Sequence, residues 1–106
     1  YATGGQISGN RVLSSDAFKQ LTTRVWEGDD LVLPFNVDWR AGVIGNSNAF
    51  YGPNPEALGH SGAGGSCGFG DPIAGVSVGY VMNKQSHHIM GDPRPLHLIE
   101  ALYQCF

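Results

Sequence analysis

The sequence predicts an α+β fold: a three- to four-stranded antiparallel sheet, one helix before it and a C-terminal helix packed on it. Three observations carry this. Val37, Trp39, Ala41 and Val43 alternate with Asp38, Arg40 and Gly42, the period of a strand with one buried face. A glycine-rich run from Leu58 to Asp71 is followed by turn chemistry at Asp71-Pro72 and Gly75, which makes its last strand and the next a hairpin. Phe18, Leu21 and Val25 near the start recur at helical spacing, as do Leu96, Ile99, Leu102, Tyr103 and Phe106 at the end.

Taken in order, residues 1–13 hold glycines at 4, 5 and 9 and no period, so they predict an irregular lead-in. A helix is expected over 14–27. Ser14 or Ser15 can cap it through a hydroxyl, Asp16 suits its first turn, and Gly28 follows as a C-terminal glycine. Thr22 and Thr23 lower its intrinsic propensity, so packing of the Phe18 face must hold it. The sheet is expected within 37–84, with strands near 37–43, 57–62, 65–70 and 76–83. Short connections imply antiparallel pairing. Three asparagines, Gly52, Pro53 and Pro55 make 46–56 a loop, with Phe50 and Tyr51 placed to cover a site. On the last strand Val76, Val78, Tyr80 and Met82 share one face and Ser77, Gly79, Val81 and Asn83 the other. Both faces are partly apolar, which predicts cover on both sides. One cover is the final helix, 92–106, with Asp92 as N-cap and Pro93 at its first position.

At 106 residues the chain is one domain by size, and a domain this small hides about 65% of its unfolded surface. A net charge of -3 and six scattered basic residues argue against nucleic acid as a partner. No apolar run approaches the roughly 18 residues that span a bilayer, so no membrane partner is expected. The chain opens on Tyr1 without the regions of a signal peptide and reads as a piece of something longer. The compartment stays open, with the cytoplasm preferred. Cys67 and Cys105 are too few for a disulfide framework and read as two buried thiols. His87 and His88 precede Met90 and His97, but adjacent histidines on an extended segment point apart. No thiol or carboxylate stands at ligand spacing, so a solvated loop is expected, with no metal and no cofactor. Asp71 and Asp29-Asp30 read as turns, Glu100 as helix surface, and Trp39 and Tyr80 as core.

The chemistry concentrates in Leu58 to Pro72, where six of fifteen residues are glycine. Glycine in a strand forfeits side-chain packing, which points to a tight bend or the close approach of a ligand or another chain. His60 and Ser61 put reactive polar atoms there. The run His60-Ser61-Gly62 resembles the third conserved box of the serine β-lactamase, penicillin-binding-protein and class C-like esterase superfamily, in the branch carrying His-x-Gly where others carry Lys-Thr-Gly. The likeness extends through Asp71-Pro72, Val78 to Lys84, Gly91 to Arg94 and Leu98 to Tyr103. Upstream it takes in Ala2 to Gly5 and Arg11 to Ser14, and so covers nearly the whole chain.

The resemblance implies the carboxy-terminal segment of a β-lactamase-like domain, in which this strand closes an acyl-transfer pocket. It implies catalytic-site roles for three residues. His60 takes the place of the family's lysine, Ser61 that of the threonine or serine that touches substrate, and the Ala63 N–H is the oxyanion donor. In the family a Ser-x-x-Lys box supplies the nucleophile and its base, and a Tyr-x-Asn box assists proton transfer. Neither is present: no serine has lysine three residues on, and no tyrosine has asparagine two residues on. The chain alone is therefore expected to be inactive, its partners being the missing amino-terminal part of the same fold and a small acyl or ester substrate. An imidazole is often neutral at pH 7 where an ammonium is charged, which favours esters or peptide-like amides over anionic β-lactams. The alternative is a non-catalytic module of the same fold that self-associates through open strand edges as a homo-oligomer; a Ser-x-x-Lys in the parent sequence would favour the enzyme.

Overall fold

The computed structural model describes residues 1–106 and contains two helices, a two-stranded hairpin and a six-stranded antiparallel sheet. The hairpin pairs β1 (Gln6–Ile7) with β2 (Asn10–Arg11) and replaces the irregular lead-in expected over 1–13. Helix α1 (Ser15–Thr22) follows, and the large sheet runs β3 (Trp26–Asp29), β4 (Asn36–Trp39), β5 (Ile44–Gly45), β6 (Leu58–Ser61), β7 (Cys67–Asp71) and β8 (Val76–Tyr80). Its spatial order is its sequence order, so every connection is a simple reversal. Helix α2 (Pro93–Tyr103) closes the chain.

The sheet has six strands, not the three or four expected, for two local reasons. The alternation from Val37 to Val43 crosses a turn that breaks it into β4 and β5. There the Arg40 N–H bonds to the Val43 carbonyl at 2.9 Å, and Gly42 adopts a φ of 84°, open to glycine. The helix expected over 14–27 stops at Thr22, because Thr23 is extended and Val25 already donates to the Trp39 carbonyl at 2.8 Å, leading into β3. Gly28 is thus a strand residue paired with Val37, not a helix stop. The Ser14 cap holds: its hydroxyl accepts the Ala17 N–H at 3.1 Å.

Only 19 of the 106 residues are buried; Leu58 is buried on one side of the sheet, and the main apolar cluster lies on the other. Phe69 and Val78 pair across β7 and β8 and so share that face. Ile44 joins them through the β5–β6–β7 register, while Val37, Tyr51, Ala57, Met90 and Ile99 complete the cluster. Over β8 the helix approaches through Pro95, Ile99 and Leu102. Asp92 caps it by accepting the Arg94 N–H at 2.9 Å, and the stripe ends with Tyr103, leaving Phe106 exposed beyond the helix. The other face of β8 carries exposed Ser77 and Gly79, so this chain covers that strand on one side, not two. Cys67 is half-buried and Cys105 exposed, both free thiols, which corrects the expectation of two buried ones.

Two buried aspartates brace the sheet. Asp38 on β4 receives Arg40 at 2.7 Å and Arg24 at 3.0 Å. Burial pushes its carboxyl up, but the hydrogen bonds and charges of Arg40 and Arg24 together hold it below the usual carboxylate range. Asp71 ends β7 and forms the expected turn by accepting the Ile73 and Ala74 N–H groups at 2.8 and 3.0 Å. It does more than turn the chain: its second oxygen accepts from Asn54 at 2.7 Å and from the Tyr103 hydroxyl at 2.5 Å, tying the 46–56 loop and α2 to the sheet.

Candidate functional site

The predicted residues lie along β6 and the turn that joins it to β7. Leu58, Gly59, His60 and Ser61 pair with Gly70, Phe69, Gly68 and Cys67. Gly59 is required by packing: a Cβ there would lie 2.6 Å from the Cβ of Phe69 and 2.9 Å from its Cα. The Gly65 N–H bonds to the Gly62 carbonyl at 3.1 Å, and Gly64 in the third position has a φ of 96°. With Ala63 outside the positive-φ region, this is a type II turn, which demands glycine at its third position.

That turn fixes where the Ala63 amide points. In a trans peptide the carbonyl and the N–H project oppositely. The Gly62 carbonyl is drawn into the turn by the Gly65 N–H, so the Ala63 N–H of the same peptide projects outward. It donates no hydrogen bond within the chain, and Ala63 is exposed. One strongly polar donor is thus presented to solvent from a rigid loop.

His60 is exposed, with its Nδ1 2.7 Å from the Ser61 carbonyl and its ring 6.2 Å from the Trp39 indole. A carbonyl only accepts, so Nδ1 carries a proton in this contact, and Nε2 is the ring nitrogen left free to meet a ligand. Ser61 is half-buried, its hydroxyl 3.3 Å from the Tyr51 hydroxyl. Tyr51 is fully buried and stacks on Phe69 at 5.5 Å. Burial pushes its phenol up to about 12 against the opposing effect of the Ser61 bond, so it stays protonated. Tyr51 thus supports β6 from beneath, and Phe50 packs against Phe35 and over Gly91 and lines the small void beside Ser61.

The void beneath the hairpin is lined by Ser61, Gly65, Cys67, Met90 and Asp92 and holds about 10 Å³, at most one water. Neither His60 nor Ala63 lines it. A larger groove of about 480 Å³, between α2 and the 46–56 loop, contains none of the three predicted residues. His60 and Ala63 therefore sit on an open wall, and Ser61 turns inward between them.

Sequence reading placed Asp92 as a helix cap and missed its second task. Asp92 is buried and receives Arg94 on both oxygens, at 3.0 Å from Nε and 2.7 Å from NH2, and the Ser86 hydroxyl at 2.5 Å. Arg94 above all, then Ser86, hold its carboxyl far below the usual carboxylate range. The same guanidinium reaches the Gly64 carbonyl at 3.1 Å and the Lys84 carbonyl at 2.7 Å. His88, expected in a solvated loop, is exposed but faces Ser86 and Asp92, 3.3 Å and 3.8 Å away. The only sequence signal for this cluster was the Gly91 to Arg94 run.

Known proteins with this architecture fix its ancestry. The chain superposes on a penicillin-binding-protein homologue from Caulobacter crescentus with a TM-score of 0.92 and 48% identity, covering 97% of this chain and 28% of that one. It matches a family VIII carboxylesterase with a TM-score of 0.91 and 43% identity, again over 97% of this chain and 28% of that one. Over nearly its whole length the chain is similar, in sequence and in fold, to a segment of β-lactamase and penicillin-binding-protein-like proteins. No protein-family model matches it, and no curated protein does. Within the β-lactamase-like fold its sheet and α2 correspond to the carboxy-terminal part, and the chain spans 28% of the length of each of those two structures.

Proposed function

We propose that these residues form one wall of a serine-dependent acyl-transfer site that hydrolyses uncharged esters or amides. The observation that carries this reading is the Ala63 N–H, outward-pointing and unpartnered on a type II turn. When a hydroxyl attacks an acyl carbonyl, negative charge gathers on its oxygen. A fixed N–H aimed at that oxygen is worth about 3 kcal/mol of barrier, because it is already oriented when the charge appears. The chain has no Ser-x-x-Lys and no Tyr-x-Asn, so the attacking oxygen and its base come from polypeptide outside these residues, and the 106-residue chain by itself does not turn over substrate.

His60 shapes the substrate class. With Nδ1 held on the Ser61 carbonyl it offers substrate a single ring nitrogen, Nε2, where a lysine would present a permanent ammonium to a carboxylate. Neutral acyl compounds fit this wall better. The match to a family VIII carboxylesterase points the same way. The protonated Tyr51 hydroxyl can donate to the Ser61 oxygen at 3.3 Å, which leaves the Ser61 proton free for a substrate oxygen.

Proline suits the second position of a type II turn, so Ala63→Pro removes the N–H and leaves the backbone path intact. In the full-length protein this variant lowers kcat for a p-nitrophenyl ester by about 10²- to 10³-fold while the protein stays folded. An unchanged kcat would remove the turn from the reaction.

A further inference from the structure

We propose that Arg94, anchored by Asp92 and assisted by Ser86, is a positioning residue that sets the direction of the Ala63 amide from the start of α2. The inference rests on the acyl-transfer reading above and extends it to residues that touch no substrate. Gly64 lies next to Ala63, and both of its backbone groups are held by the segment that runs from β8 into the first turn of α2. Its carbonyl accepts from Arg94 NH2 at 3.1 Å and the Ser86 N–H at 2.9 Å, and the Ser86 hydroxyl, whose proton goes to Asp92, lies 3.2 Å away. Its N–H donates to the His88 carbonyl at 2.9 Å.

The peptide planes on either side of Gly64 are therefore fixed. The plane before it carries the Ala63 carbonyl, and only the two dihedral angles of Ala63 separate that plane from the one carrying the Ala63 N–H. Rotation of that N–H would require breaking the turn bond from Gly65 to Gly62 or the clamp on Gly64. Gly65 is pressed so closely on the Asp92 carboxylate that a Cβ there would collide with it.

The clamp works by geometry and not by added charge. The Arg94 guanidinium spends its fork on Asp92, so the pair presents little net charge to the turn. Its remaining N–H groups span from Lys84 to Gly64, a reach that a single ammonium cannot copy. Loss of this brace leaves a type II turn whose hydrogen bond is intact but whose outward amide samples a wider cone. Misplacing a reacting partner by an ångström costs up to about a hundredfold in rate.

The test uses the full-length protein with a p-nitrophenyl ester and measures kcat, KM and thermal midpoint for four variants. Arg94→Lys keeps the charge and Ser86→Ala removes the hydroxyl bond that steadies Asp92 beneath Arg94, so these remain informative should Arg94→Ala fail to fold; Ala63→Pro is the reference. The expected result is a kcat lowered about 10- to 100-fold in Arg94→Lys and severalfold in Ser86→Ala, with KM unchanged. Millimolar guanidinium, too dilute to denature, restores part of kcat in Arg94→Ala and none in Ala63→Pro. If Ala63→Pro loses kcat while Arg94→Lys and Ser86→Ala lose only thermal stability, the positioning role is overturned and the oxyanion reading stands. If Ala63→Pro keeps its kcat, the oxyanion reading fails and the positioning role fails with it.

Discussion

The two ends of this chain solve the same problem differently. Residues from Val37 to Ile99 supply all seven side chains of the buried cluster, whereas the first 36 residues supply none. Helix α1 has no buried residue; its Phe18 is half-exposed and its start is held by one hydroxyl cap. Helix α2 has Pro95 and Ile99 buried, a carboxylate cap that also holds a guanidinium, and a tyrosine latched to Asp71. Local hydrogen bonds shape the amino-terminal third, and apolar burial holds the rest. The segment carrying His60 and Ala63 belongs to the second kind.

The comparison can be broken most directly at two phenylalanines. Phe69→Ala empties a side chain that is 4% exposed and costs about 3–5 kcal/mol in urea unfolding. Phe18→Ala costs about 1 kcal/mol, because that ring is only partly removed from water. Equal losses would mean that the amino-terminal third is as firmly packed as the core.

Acid provides a second probe. Asp71 and Asp38 are held below the usual carboxylate range in the folded chain, Asp71 because bonds from Tyr103, Ala74, Asn54 and Ile73 outweigh its burial. A lowered folded value adds stability above the unfolded carboxylate value of about 3.9, and that stability is lost as pH falls through the folded value. The urea midpoint therefore drops as pH is taken from 7 to below 4, and Asp71→Asn reduces that dependence. A midpoint flat over this range would show that the two carboxylates do not brace the sheet. The smallest effect is expected at Ser14→Ala, about 0.5 kcal/mol for a cap on an exposed helix, seen chiefly as faster amide exchange in α1.

The elements legible in sequence are those whose signals are local. Asp92-Pro93 marks the start of α2, Ser14 caps α1, and Asp71-Pro72 with Gly75 turns β7 into β8. The errors also have local causes. Val25 sits at helical spacing from Phe18 and Leu21, yet is already extended on the way into β3. That edge strand reads Trp-Glu-Gly-Asp, with no alternation to reveal it. The turn at Gly42 hid inside a run whose period never broke. At the wall, glycine content and the His-x-Gly box exposed the turn, because glycines there answer to backbone demands. The Arg94 clamp stayed hidden, since Gly64 and Arg94 are 30 residues apart and nothing in either neighbourhood names the other.

The Ala63 methyl group, unlike its amide, has no assigned duty. It stands exposed in a turn position that accepts almost any L-residue, and the bonds fixing the loop all run through backbone atoms of its neighbours. Polarity and bulk at this one position can be redrawn without disturbing the hydrogen-bond donor beneath, so the loop's outer chemistry and its backbone geometry are separable.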